Sequence, residues 1–323
     1  MKQRLIKLVQ WTPFPALALL IFFLILNQFL SPGYLKGNFM SSFLAANASV
    51  IIVSIGTSIV LIGGGMDISM GGLLCLVNVV YVLLAEAKVP LAVCLIMCIV
   101  IGFAGGLLNG LCIAVFRVTP LLTTFATSFV FGGIALWLMK APHGSIQREI
   151  VKWYFSWLKG YGAPILFIGI TIVLWLVIKK TKMGVWIYAV GKDEVKAYAS
   201  GVPVRTVKLF MYGFSGIITG IGGMVLTTYI GAGDPLIAVS YTMTIIAACV
   251  IGGILLTGGV GDAIGALFGS MFLGLIITTV LSSVRDSFYH NFVQGIIMVM
   301  GVIGAILLSR VINSVKYKSL GGR

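Results

Sequence analysis

Eight carboxylates occur in this 323-residue chain, and two of them, Asp67 and Asp262, sit in short glycine-rich interruptions between long apolar runs. Residues 62–71 read IGGGMDISMG and residues 257–266 read TGGVGDAIGA, which sets the two aspartates in register. In each, a glycine pair (Gly63 and Gly64, Gly258 and Gly259) lets the backbone turn. The aspartate, followed in the first by Ser69, then stands where an N-cap would accept a backbone N–H of the next helix. The alternative is that these breaks expose polar backbone and helix ends to a passing substrate. Neutral polar groups are spread through the apolar runs: Asn47, Ser49, Ser54, Thr57, Ser58, Asn78, Asn109, Thr123, Thr124, Thr127, Thr244 and Gln294. Hydroxyls and amides suit an uncharged, hydroxyl-rich substrate that exchanges hydrogen bonds with water for weak ones along a pathway. Asn47, Ser54, Asn78, Asn109, Thr124, Phe125 and Thr244 are the candidate lining. The competing role for each polar member is an interhelical bond, worth about 0.6 kcal/mol.

Covalent and metal chemistry find no support. Cys75, Cys94, Cys98, Cys112 and Cys249 all fall inside apolar runs. Cys94 and Cys98 share a helix face without a histidine or carboxylate to complete a metal site, so they read as small buried hydrophobes. His143 and His290 are isolated, no nucleophile, base and orienting group converge, and no GxxxxGK[ST] phosphate loop occurs. The expectation is a chain with no catalytic residue, no metal and no cofactor of its own.

The elements that position these groups are set by apolarity. The chain is 59% hydrophobic and 9% charged, with mean hydropathy +1.12, far from the ~25% charged residues of soluble domains. The continuous apolar runs exclude a β-barrel of alternating ~10-residue strands. With ~20 apolar residues per crossing, ten spans are predicted, near 13–30, 39–62, 69–85, 90–115, 120–139, 163–180, 207–230, 241–257, 262–283 and 291–310. The first follows Lys2, Arg4 and Lys7 but precedes no convincing cleavage site, so it reads as a retained span. If the N-terminus lies inside, 15 of the 22 Lys and Arg fall on the cytoplasmic side. Lys36, Lys88, Lys140, Arg148, Lys152, Lys159 and Arg285 fall outside, and that bias places both termini in the cytoplasm. The net charge of +14 then marks topology and anionic lipid, not nucleic acid.

Two polar connections stand out. Residues 140–162 carry Ile146, Ile150, Trp153, Tyr154, Trp157 and Leu158 at helical spacing, with Arg148, Glu149, Lys152 and Lys159 between them. This predicts a helix in the outer interface with its aromatic face toward lipid, or part of a docking surface for an external partner. Residues 181–206 form the long basic cytoplasmic loop. Its middle, Asp193 to Ser200, opens with acids and stops at Gly201 before Pro203, which predicts a short helix across the cytoplasmic face. Glycines four apart (Gly102, Gly106 and Gly110; Gly216 and Gly220; Gly265 and Gly269) predict close helix packing. Asp67 and Asp262 are read as the only acids in or near the spans. Because gradient-driven carriers usually need intramembrane ionisable groups, a pump powered from outside the membrane is favoured over a secondary carrier.

Four stretches together resemble one family in order: GGGMDISMGG (63–72), TPLLTTFATSFVFGGIAL (119–136), YAVGKDEVKAYASGVPVRTVKLFMYGFSGIITGIGG (188–223) and IIAACVIGGILLTGGVGDAIGALFGSM (245–271). They are similar to the permease subunits of ribose-type bacterial ABC importers, which also include galactose, xylose, galactofuranose and autoinducer permeases. The resemblance implies an all-α permease fold in the bacterial inner membrane, about ten helices in a single domain over 1–323. It also implies a second permease subunit, identical or homologous, two copies of an ATPase subunit carrying ATP and Mg, and an extracytoplasmic sugar-binding protein. Carried over, Gly191, Asp193, Glu194, Val195, Ala197, Tyr198, Gly201 and Val202 resemble the coupling helix that inserts into the ATPase, with Val195, Ala197 and Tyr198 as its apolar side. Departures occur. Ser240, Tyr241, Thr242, Met243 and Thr244 fill the place of a Glu-Leu-Asp-like run, Asp193 and Glu194 that of an Asn-Glu pair, Ala197 and Tyr198 that of an Ala-Arg pair, and Gly65 and Met66 that of Gly and Ile. These bear on the substrate and on self-pairing, so pairing with a more typical permease stands beside a homodimer. A nucleoside or branched-chain amino-acid ABC permease is the alternative within transport.

Overall fold

The computed structural model describes residues 13–30 and 38–283, with isolated positions 292, 295, 296, 299, 300 and 303 beyond them. Most of the predicted tenth span, Gln294, His290 and both terminal basic clusters lie outside the described residues. The described helices are α1 (Phe14–Leu30), α2 (Phe39–Ile62), α3 (Met70–Glu86), α4 (Leu91–Ala114), α5 (Pro120–Leu138), α6 (Arg148–Ser156), α7 (Gly162–Lys179), α8 (Lys182–Lys192), α9 (Glu194–Ala199), α10 (Val204–Ile230), α11 (Tyr241–Ile251) and α12 (Ala263–Ser283). Two short strands, β1 (His143–Ser145) and β2 (Ala232–Gly233), pair antiparallel. Five helices, α2, α4, α5, α7 and α10, are long and apolar enough to cross a membrane.

Burial orders the bundle. The apolar windows of α2 and α10 are 89% and 78% buried, whereas those of α4, α5 and α7 are only 28–33% buried. The first pair is the core and the others form its rim. Helices in lipid gain little from apolarity itself, so close approach must come from small residues. A Cβ on Gly102 or Gly106 of α4 would overlap the carbonyl oxygens of Gly216 or Tyr212 on α10, and one on Gly216 would overlap Gly102. Gly265 and Gly269 of α12 meet Gly252 and Ala248 in the same way. The spaced glycines line two close helix seams.

Four expectations change. The span read over 241–257 is a helix only to Ile251, because Gly252 and Gly253 (φ +84°) end it. Its 11 residues rise about 16 Å, half of a ~30 Å bilayer core. The chain ahead of it, read as an outer connection, folds back beside α3, bringing Asp234 to Asn78. Asp67 and Asp262 are therefore not the only acids among the spans. In 140–162 the helix is α6, but Ile146 and Tyr154 are buried and the Tyr154 hydroxyl donates to the Ala45 carbonyl at 2.9 Å. Trp153 and Trp157 stay exposed and stack on each other. Tyr154 thus ties α6 to α2 and packs beside Tyr229 of α10, so part of the expected aromatic face turns into the protein instead of toward lipid. The loop 181–206 contains two helices, α8 and α9.

Candidate functional site

The loop between α7 and α10 builds an outward-facing helix on a rigid base. Asp193 caps α9, its carboxylate accepting the Lys196 backbone N–H at 3.0 Å and pairing with the Lys196 ammonium at 2.9 Å. The backbone N–H first, and the ammonium second, hold the Asp193 carboxyl below its ordinary range, and the same contact raises the Lys196 pKa. Glu194 accepts from Lys208 of α10 through both oxygens at 2.7 Å, tying α9 to the next span. Val195 and Tyr198, one helical turn apart, are 78% and 75% exposed, whereas Ala197 and Val202 face inward. The apolar side expected of Val195, Ala197 and Tyr198 is therefore Val195 and Tyr198 alone. Gly201, at φ +81°, closes the segment.

Beneath α9 three distant glycine stretches meet through backbone. A Cβ on Gly191 would overlap the Ile62 carbonyl oxygen and lie 2.7 Å from the Gly259 nitrogen. The Gly259 N–H donates to that same Ile62 carbonyl at 2.7 Å. A Cβ on Gly258 would fall 2.6 Å from the Gly64 Cα and 2.7 Å from the Gly191 oxygen. Gly63 packs against the Met211 thioether. A cleft of about 310 Å³ opens beside this junction, lined by Gly63, Gly65, Pro120, Glu194, Lys208 and Tyr212 among others.

The two aspartates lock the junction. Each accepts the backbone N–H two residues on: Asp67 from Ser69 at 2.9 Å, Asp262 from Ile264 at 3.2 Å. Their surroundings differ. Asp262 also accepts from the Trp175 indole N–H at 3.0 Å and pairs with Lys179, both on α7, while the Tyr188 hydroxyl of α8 donates to the Gly261 carbonyl at 2.8 Å. Asp67 takes the Ser69 hydroxyl at 2.6 Å, and its neighbour Met66 offers its carbonyl to the Tyr212 hydroxyl at 3.1 Å. Trp175 and Lys179 lie outside the four family-like stretches, and Lys208 and Tyr212 lie inside the third (188–223) without being singled out there. The i, i+4 spacing of Trp175 with Lys179, and of Lys208 with Tyr212, each near a span end, is the signal that could have pointed to them.

The candidate lining divides. Phe125 is exposed on the outer face of α5, in edge contact with Phe129. Asn47 is half-buried against Gly274 of α12 and donates to the Phe43 carbonyl. Ser54 and Thr244 are buried and bond within their own helices. Asn78 is buried and acts as a peptide mimic. Its amide donates to the Thr227 hydroxyl at 3.0 Å and the Ala232 carbonyl at 3.1 Å, and its oxygen accepts the Asp234 N–H at 2.8 Å. Asn109 and Thr124 are buried near the first turn, Thr124 donating to the Pro120 and Met66 carbonyls. Among the described residues no group of three or more His, Cys, Asp or Glu could hold a metal ion.

Comparison with known proteins adds to this geometry. The pattern of the family described as "Branched-chain amino acid transport system / permease component" matches residues 39–302. The chain is 30% identical over 297 residues to the ribose import permease protein RbsC of Bacillus subtilis (strain 168), covering 90% of this chain and 91% of that one. It is 28% identical over 264 residues to the fructose import permease protein FruG of Bifidobacterium longum (strain NCC 2705), covering 78% of each. With the autoinducer 2 import system permease protein LsrD of Photorhabdus temperata it shares 30% over 223 residues, 66% of this chain and 67% of that one. No solved structure matches.

Proposed function

The chain belongs to the branched-chain amino acid transport system permease family as a ribose-type carbohydrate ABC permease, and from that premise we propose that it carries a sugar or sugar-like small molecule across the bacterial inner membrane, driven by separate ATPase subunits. In this reading the chain crosses the membrane about ten times with both termini in the cytoplasm. It works beside a second permease subunit, identical or homologous, with two copies of an ATPase that hold ATP and Mg, and with an extracytoplasmic sugar-binding protein. It binds no cofactor and catalyses no reaction of its own. Phe125, on the outer face of α5, is the pathway candidate that a second permease subunit would enclose.

The observation that carries the coupling role is the presentation of α9. Val195 and Tyr198 project from a six-residue helix whose cap, ion pair and glycine base are complete without them. Two large apolar side chains held out on a braced helix are anchors for a cleft in another subunit. Burying each contributes about 1.5–3 kcal/mol. A Val195→Asp, Tyr198→Ala double variant is therefore expected to remain folded and monodisperse in mild detergent while losing the co-purifying ATPase and its substrate-stimulated hydrolysis. Retention of both by the variant, or a parent chain that brings down no ATPase, would remove the assignment. The family description favours one second reading, branched-chain amino acids as cargo. Identifying the ligand of the co-purifying binding protein decides between a neutral sugar and a zwitterion.

A further inference from the structure

Four buried polar groups form one directed hydrogen-bond chain from α5 to the first glycine turn. Thr127 of α5 donates to the Asn109 carbonyl oxygen at 2.7 Å, the Asn109 amide of α4 donates to the Ser69 hydroxyl at 2.8 Å, and Ser69 donates to Asp67 at 2.6 Å. None of the four is more than 8% exposed. Every donor points toward the carboxylate, so each bond polarises the next, and among the described residues no Lys or Arg pairs with Asp67. At the same level Thr124 of α5 reaches the Met66 carbonyl, and α5 rests on α3 where Gly72 admits the Ser128 carbonyl. Elsewhere α5 is a rim helix, little buried, so these contacts set the pose of its first turns. The turn that they grip is in backbone contact with Gly191, two residues before the cap of α9.

Resting on the coupling role proposed for α9, we infer that Ser69, Asn109 and Thr127 are positioning residues that carry the displacement of α9 into α5. Movement of α9 shifts Gly191 against Gly64, the turn 63–69 moves with it, and α5 follows through the chain. α5 is not adjacent in sequence to the coupling loop, so among the described residues its link to the loop without these bonds runs mainly through its packing on α3 and α4.

The test is amide hydrogen exchange, read by mass spectrometry, on the complex purified with its ATPase and compared between ADP and ATP with vanadate. In the parent, nucleotide trapping is expected to change protection at 191–201, at 63–69 and at 120–128. Thr127→Val keeps the side-chain shape but removes the donor. It is expected to keep the first two changes and lose the third, and Thr127→Ser, which retains the hydroxyl, is expected to restore it. Ser69→Ala is expected to behave as Thr127→Val does. A parent in which 191–201 responds and 120–128 does not, an undiminished response in Thr127→Val, or a failure of Thr127→Ser to restore it overturns this inference alone. A complex in which 191–201 is insensitive to nucleotide, or a chain that binds no ATPase, overturns the coupling role and this inference with it.

Discussion

At the scale of single residues, glycine acts here mainly by the absence of a side chain. Gly191 is held between the Ile62 carbonyl and the Gly259 nitrogen, both backbone atoms that cannot rotate away. Gly201 has open space around its Cα but sits at φ +81°. Gly191→Ala must therefore separate the two turns, whereas Gly201→Ala meets only the left-handed backbone strain of roughly 1–2 kcal/mol. The expected outcome is a much larger fall in thermal unfolding midpoint for Gly191→Ala, with loss of the co-purifying ATPase, than for Gly201→Ala. Equal falls would place Gly191 outside any close junction. The glycine pairs and the register of Asp67 with Asp262 were legible in the sequence. That residues near 64, 191 and 259 touch was not, because nothing local in any of the three stretches encodes its partners. The local cap was legible for Asp262, which stands directly ahead of α12 and takes the Ile264 N–H; Asp67 differs, since Ser69 is the N-cap of α3 and Asp67 holds the N–H of that cap residue instead of one from the helix. Lys179 and Trp175 on Asp262 were not legible.

At the scale of elements, periodicity located the helices but not the depth of what joins them. Gly231, Gly233, Asp234 and Pro235 signal a turn, yet composition cannot say whether a turn lies at the surface or folds back among helices. Here it folds back, and irregular backbone at that depth is tolerated only where its polar groups find partners. Asn78 supplies two of them, the Ala232 carbonyl and the Asp234 N–H, and the Cys75 sulfur takes the Ala238 N–H at 3.4 Å. Apolar residues run from Ile245 to Leu256 except at the glycines, so a window of hydropathy passes over the break at Gly252. Asn78→Leu orphans two backbone groups at about 1–3 kcal/mol each. Ser54→Ala removes only a hydroxyl that donates to its own helix at Val50, a bond that contributes little to helix stability. The unfolding midpoint in detergent is expected to drop clearly for Asn78→Leu and to stay near the parent value for Ser54→Ala. A harmless Asn78→Leu would mean that the broken stretch is supported elsewhere.

At the scale of the whole molecule, the chain has two chemically distinct ends. α10 runs about 40 Å from the α9 end to β2, which pairs with β1 beside α6. Both glycine turns and the α8–α9 loop share the first end. Among the described residues, Arg117, Lys179, Lys180, Lys182, Lys192, Lys196, Arg205 and Lys208 lie there, against Lys88, Lys140, Arg148, Lys152 and Lys159 at the other. The excess of basic charge at the first end is what the proposed reading expects of a cytoplasmic face, and the α9 reading requires the same, since ATP is hydrolysed there. Single cysteines at two exposed positions, Lys182→Cys and Lys152→Cys, test the assignment with a membrane-impermeant maleimide. Four of the native cysteines are buried and Cys112 is half-buried, so the parent chain serves as the blank. Lys152→Cys is expected to label in intact cells and Lys182→Cys only in inside-out vesicles. The reverse pattern would turn α9 away from any ATP-hydrolysing subunit, and Val195 and Tyr198 would then be anchors for an external protein.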